Sequence, residues 1–136
     1  MKTILIMAML GAILLSACAA TPQSPALGGG AWVLTSLDGN SQVGSAAGGN
    51  DITLQFGEDG RAGGSGGCNQ YGAGYTVSGN SVSFEQPVST LMYCEPDQVM
   101  QNEAAYLQAL TMVGEWQISG NTLTLTGSGH TLVFTR

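Results

Sequence analysis

The chain carries few groups able to do chemistry: three cysteines, one histidine, and nine carboxylates set against three cations, in 136 residues. Cys68, Cys94 and His130 could bind a transition metal, but they lack a Cys-x-x-Cys pair and offer a single imidazole. A cysteine–histidine pair could instead serve as nucleophile and base, which requires a free thiol. A disulfide between Cys68 and Cys94 is the third option. It would close a loop of about 27 residues, worth roughly 3.5 kcal/mol of chain entropy. Ser128 and His130 form the one hydrolase-like constellation. Residues two apart on a turn point in different directions, and no nucleophile elbow surrounds them.

The compartment decides among these options, and the N-terminus names the compartment. Lys2 supplies one positive charge, and an apolar run follows from Ile4 to Leu15. As a helix that run would rise about 18 Å, too short for the roughly 30 Å hydrocarbon core of a bilayer. It therefore reads as the core of a signal peptide. It ends in Leu15-Ser16-Ala17-Cys18, and small residues followed at once by Cys resemble the lipobox of bacterial lipoproteins. The resemblance implies a signal peptide over residues 1–17, with diacylglycerol on the Cys18 thiol and acylation of the new amine. Residues 18–30 then form the lipidated cysteine and a flexible tether, rich in Pro and Gly. Ala19 is not the Asp that retains such cargo at the inner membrane, so the resemblance implies an outer-membrane anchor facing the periplasm. Without Lys2 the chain keeps two arginines and no lysine. An anionic membrane surface repels such a chain, so the membrane is a partner through the lipid alone. Export also leaves Cys68 and Cys94 as an even pair in an oxidising space, which favours the disulfide. No metal or other cofactor is expected.

The elements that position these residues are short. The net charge is −6 and charged residues are 9%, so no surface can track a phosphate backbone and nucleic acid is excluded as a partner. Period-two alternation marks strands at Ile52–Phe56, Ser81–Glu85, Thr122–Thr126 and Thr131–Thr135, with an opening strand from Trp32 to Leu37. Turn chemistry separates them at Ser78-Gly79-Asn80, Ser119-Gly120-Asn121 and Gly127-Ser128-Gly129. The segment Tyr75–Phe84 echoes Trp116–Leu125. The echo reads as two hairpins that need the same turn, since two copies build no solenoid. One helix is predicted over about residues 97–113 from the three-and-four spacing of Val99, Met100, Tyr106, Leu107, Leu110 and Val113. On a wheel of about 100° per residue with Met100 at zero, Glu103 falls near 300°, inside the apolar arc. A carboxylate there must be hydrogen-bonded or paired. It either grips backbone N–H groups of the glycine-rich loop around Cys68 or is a perturbed acid in a site. No second carboxylate or base accompanies it, which favours the structural role. The elements read as short strands in antiparallel hairpins with one polar face, together with one helix.

The glycine-rich run Gly63–Gly72 has no Lys-Ser/Thr after it and no βαβ unit around it, so it is neither a P-loop nor a dinucleotide fingerprint. Its sequence Gly67-Cys68-Asn69-x-Tyr71, followed by Ser89-Thr90-x-Met92-x-Cys94, resembles the META domain of HslJ-like bacterial envelope proteins. Trp32-x-Leu34, Ile52-x-Leu54-x-Phe56, Glu103-x-x-Tyr106-Leu107-x-x-Leu110 and Leu132-x-Phe134 extend the resemblance over about residues 31–136. Tyr93 and the Gly/Ala-rich stretch 44–49 depart from the pattern. The resemblance implies a fold of class α+β: a single small domain over residues 31–136, with a curved, mostly antiparallel sheet and one helix packed on it. It also implies an association with envelope stress and antibiotic tolerance, and no enzymatic activity to carry onto residues. The expected function is a non-enzymatic, lipid-anchored periplasmic domain that binds an envelope protein or small ligand. The alternative is a lipoprotein inhibitor of a secreted enzyme such as a lysozyme, for which only Arg61, Arg136 and His130 could meet the target's carboxylates. The signature loop Gly67, Asn69, Tyr71 is either a binding rim or a tight structural corner.

Overall fold

Alternation of threonine with leucine or phenylalanine becomes strand wherever it occurs. The structure, a computed structural model, describes residues 26–136; the expected signal peptide, Cys18 and the expected tether up to residue 25 lie outside the described residues. The strands are β1 (Trp32–Leu37), β2 (Thr53–Phe56), β3 (Arg61–Ser65), β4 (Gln70–Ser78), β5 (Ser81–Phe84), β6 (Val88–Ser89), β7 (Glu115–Ser119), β8 (Thr122–Gly127) and β9 (His130–Thr135). A helix, α1 (Asp97–Met112), stands between β6 and β7, and a short 3-10 turn (Gly44–Ala47) between β1 and β2.

The strands run β3-β2-β1-β9-β8-β7-β5-β4, and β3 pairs with β4. Every pairing is antiparallel. Eight strands thus close into a barrel, and the curved sheet expected from the sequence is corrected to a closed one. The physical reason lies in the glycines of β3 and β4. A closed sheet this small must coil tightly, and a Cβ on Gly64 would run into the Thr53 backbone of the neighbouring strand. β6 lies outside the ring, paired with the first half of β4 at Tyr71↔Ser89 and Gly72↔Val88. The seam between β5 and β7 is thin: one paired position, Ser81↔Glu115, with Val82 N–H to Gly114 O and Trp116 N–H to Asn80 O beside it.

Inward side chains fill the ring. Trp32, Ile52, Leu54, Leu123, Leu125, Leu132 and Phe134 are fully buried in one cluster, each worth about 1.5–3 kcal/mol of burial. Tyr106 of α1 packs edge-on against both Tyr71 of β4 and Phe134 of β9. A helix side chain that reaches two distant strands of a closed ring enters through an open end, so α1 stops one end of the barrel. Its buried residues are Val99, Asn102, Glu103, Tyr106, Ala109 and Leu110. They span about 180° to 300° on the wheel used above, so the buried arc is centred nearer Tyr106 than Met100. Both echoing hairpins are two-residue turns, with Gly79 and Gly120 at φ 57° and 58° in the first central position.

The domain begins earlier than residue 31. Leu27 is buried in the core cluster, and the Trp32 indole N–H donates to its carbonyl at 3.0 Å. Arg136 stacks over the Trp32 ring and donates to the carbonyls of Gly28 and Ala26. The last residues assigned to the tether are therefore part of the fold, because β1 and the chain's C-terminus supply donors that fix their carbonyls.

Candidate functional site

The signature residues converge on one corner, where α1, the β3–β4 turn and the segment after β6 meet. Glu103, only 5% exposed, directs its carboxylate at the turn. Oε2 accepts the backbone N–H groups of Cys68 at 3.0 Å and Asn69 at 2.6 Å, and Oε1 accepts the Asn69 side-chain amide at 2.6 Å. Gly66 has to be glycine for this approach, since a Cβ there would lie 2.7 Å from Oε2. Asn69 then faces the other way. Its Oδ1 accepts from the Thr90 hydroxyl at 2.9 Å and the Met92 N–H at 2.6 Å, and its Nδ2 donates to the Met92 carbonyl at 3.1 Å. Cys68 and Cys94 are disulfide-bonded, with Cα atoms 5.8 Å apart, an ordinary separation. The pairing expected from parity and compartment is thus formed.

Tyr71 extends the network inward. Its hydroxyl donates to the Thr53 carbonyl at 2.8 Å, so the contact with the Tyr106 hydroxyl at 2.6 Å is donated by Tyr106. Burial pushes both phenols well above the ordinary tyrosine range. Among the described residues no buried side-chain polar atom is left without a partner. The corner is therefore a closed set of donors and acceptors, in which Glu103 grips backbone N–H groups of the glycine-rich loop around Cys68. Gly67 takes φ 106° between these contacts, a conformation that favours glycine.

What the corner holds out is apolar. Leu91 is 96% exposed, Val88 76%, Tyr93 68% and Met92 56%. Met112 is the one other exposed large hydrophobic among the described residues. Single exposed hydrophobics are ordinary, but four within six consecutive residues form a patch that calls for a reason.

The remaining candidates are not brought together. The sulfurs of Cys68 and Cys94 are bonded to each other, and the His130 Nδ1 lies 2.8 Å from Asp38 Oδ2. The described residues contain no cluster of three or more metal-ligating side chains. His130 is hydrogen-bonded to Asp38 and not to Ser128, which occupies a positive-φ turn position. Asp38 also accepts the Thr131 N–H at 2.8 Å, and this donor chiefly holds its carboxyl below the usual range. Of the cations an inhibitor would present, Arg136 and His130 are engaged within the domain. Thr90 was singled out only within the motif Ser89-Thr90-x-Met92-x-Cys94, with no role of its own, and Asn102 escaped notice altogether. Asn102 donates to the Gln42 carbonyl at 2.7 Å and ties α1 to the segment before the 3-10 turn. Its polar place on the buried side of α1, next to Glu103, was the available signal. Within the 44–49 stretch that departs from the family pattern, Gly49 packs against Val99.

A closed eight-stranded antiparallel barrel, stopped by one helix and pinned by a Gly-Cys-Asn turn, defines a class of small β-rich domains. The chain belongs to the META domain family, whose model matches residues 25–136. An NMR structure of a protein from Burkholderia xenovorans is 31% identical, with a TM-score of 0.67 and 98% of each chain covered. A second NMR structure is 24% identical, with a TM-score of 0.61, covering 77% of this chain and 86% of the other. A crystal structure of a DUF4847 family protein from Bacteroides vulgatus shares the fold at 14% identity and a TM-score of 0.52, covering 80% of this chain and 93% of that one. No curated protein matches the chain.

Proposed function

We propose that this protein is a non-catalytic binding module of the bacterial envelope, anchored through lipid on Cys18 to the periplasmic face of the outer membrane. The single observation that carries the binding role is the contrast at the corner. A disulfide and a saturated hydrogen-bond network fix residues 88–93 while their apolar side chains face outward. Prior ordering lowers the entropy lost on association, so a rigid apolar strip suits recognition. The polar groups beneath it are all engaged in holding it. The lipobox-like Leu15-Ser16-Ala17-Cys18 supports the anchor.

The test is site-specific photo-crosslinking of the lipidated protein in intact envelope. A crosslinker at Leu91 is expected to capture a defined envelope component, and Cys18→Ser is expected to move the protein out of the membrane fraction and abolish the capture. No capture from Leu91 or from any other exposed position would remove the reading.

A further inference from the structure

The exposed strip is also an open sheet edge. The Thr90 N–H turns inward to the Gln70 carbonyl at 3.0 Å, and the Met92 N–H turns inward to Asn69. In an extended chain alternate residues point their N–H and C=O groups to opposite edges. Those of Ser89 and Leu91 therefore point away from β4, where they meet no partner among the described residues. Closing a sheet into a barrel removes its edges, and proteins guard those that remain with charge, proline or cover. Here Pro87 stands at the start, and no charged residue follows until Glu95. The edge is also held in place: Asn69 binds both the N–H and the C=O of Met92, and the disulfide fixes Cys94.

The flanks of the strip select the occupant. Glu85, Glu95 and Asp97 are exposed, and residues 85–97 contain no cation. A second copy would set like charges against each other across the pairing, and an anionic lipid surface would be repelled. We infer that the outer edge of β6, continued through Leu91, takes up an extended segment of another polypeptide as an added strand. The segment carries apolar side chains in alternation and is flanked by lysine or arginine. Main-chain hydrogen bonds to Ser89 and Leu91 would bind it, and Val88, Leu91, Met92 and Tyr93 would set side-chain preference. This inference rests on the binding role proposed above and adds its mode and the chemistry of the partner.

The experiment uses the purified mature protein and a short peptide of alternating valine and threonine between paired lysines. Binding is followed by amide hydrogen exchange and backbone NMR shifts. Exchange at Ser89 and Leu91 is expected to slow by at least about tenfold at saturation, the mark of a newly bonded amide. Shifts are expected to be confined to the neighbourhood of residues 85–97. The same peptide with glutamate for lysine, or with N-methylated backbone amides, is expected to bind at least about tenfold more weakly, a difference of about 1.4 kcal/mol. Leu91→Lys, at a position outside the core, is expected to keep the wild-type Tm and lose the peptide. Unchanged exchange at Ser89 and Leu91 overturns the inference, as does equal affinity for the glutamate peptide. Protection produced by anionic vesicles or by raising the protein concentration alone overturns it too. If the peptide fails while crosslinking in the envelope still captures a component, the strand-addition mode falls and the binding role stands. If both fail, the binding role falls as well.

Discussion

The two sides of the barrel are held together differently. From β7 through β8 and β9 to β1, the inward positions include Ile118, Leu123, Leu125, Leu132, Phe134, Trp32, Leu34 and Leu37, and threonines face out. Apolar burial is the main force there. Around β3 and the first half of β4, Gly63, Gly64, Gly66, Gly67, Gly72 and Gly74 offer no side chain to bury. That side is held by Tyr71 and Tyr106, by Glu103 and Asn69, and by the disulfide. Glycine lets the strands coil tightly enough to close the ring but costs conformational entropy. Directed polar bonds and one covalent bond offset that cost. A non-directional force suits a side with large side chains, and a directional one suits a side without them.

The sharpest way to break this contrast is to remove burial on the aliphatic side. Leu125→Ala is expected to cost about 3–4 kcal/mol, measured by urea unfolding, and equally in oxidised and reduced protein. Next comes the Cys68→Ser/Cys94→Ser pair. It is expected to cost roughly 3 kcal/mol, with amide protection lost around residues 66–70 and 88–94 first and retained in β8 and β9. Protection lost evenly around the ring would show that the two sides are not held separately.

Glu103→Gln sharpens the polar half of the comparison. Whichever way the new amide is turned, its NH2 faces an N–H: that of Asn69 Nδ2, or those of the Cys68 and Asn69 backbones. The expected loss is about 2 kcal/mol, the usual result of leaving a buried polar group without its partner. Thermal unfolding checks it; a wild-type Tm would contradict the placement of the carboxylate.

The tyrosine pair adds a pH signature to the same side. Both phenols titrate higher in the folded chain than in the unfolded one, because burial disfavours the phenolate. Their stabilisation is complete below the ordinary value of about 10 and is lost as pH rises from there toward the folded values, by about 1.4 kcal/mol per pH unit for each tyrosine. Denaturation midpoints measured between neutral and strongly alkaline pH should show the decline, and Tyr106→Phe should make it shallower. The smallest effect belongs to the aliphatic side. The lowered carboxyl of Asp38 stabilises above its ordinary value, and the contribution fades as pH falls through the lowered one. The His130–Asp38 pair is solvent-screened, at 27% and 42% side-chain exposure, so Asp38→Asn should cost about 1 kcal/mol or less.

The same contrast explains what could be read from the sequence. Alternating Leu and Thr announce β8 and β9, and Gly-Asn turns announce their hairpins, because burial writes itself as periodicity. Glu103 was legible for the opposite reason, as a charge inside an apolar arc beside a loop with N–H groups to satisfy. Closure of the ring was not legible: β3 is Arg-Ala-Gly-Gly-Ser, which has no alternation to show which face is inward. β6 was hidden by being two residues long, after a proline, and exposed. The packing of Leu27 was masked by Gly28-Gly29-Gly30, which reads as loose chain until Trp32 and Arg136 are seen to reach back to it.

The Glu103–Asn69 corner holds the apolar strip in place through Met92. Native-state amide exchange of Met92 in Asn69→Ala probes that hold at the bond itself. The Met92 amide, bonded in the wild type to Asn69 Oδ1, is expected to exchange at least about tenfold faster while amides of β8 and β9 keep their protection. A Met92 amide that stays protected in the variant would contradict it.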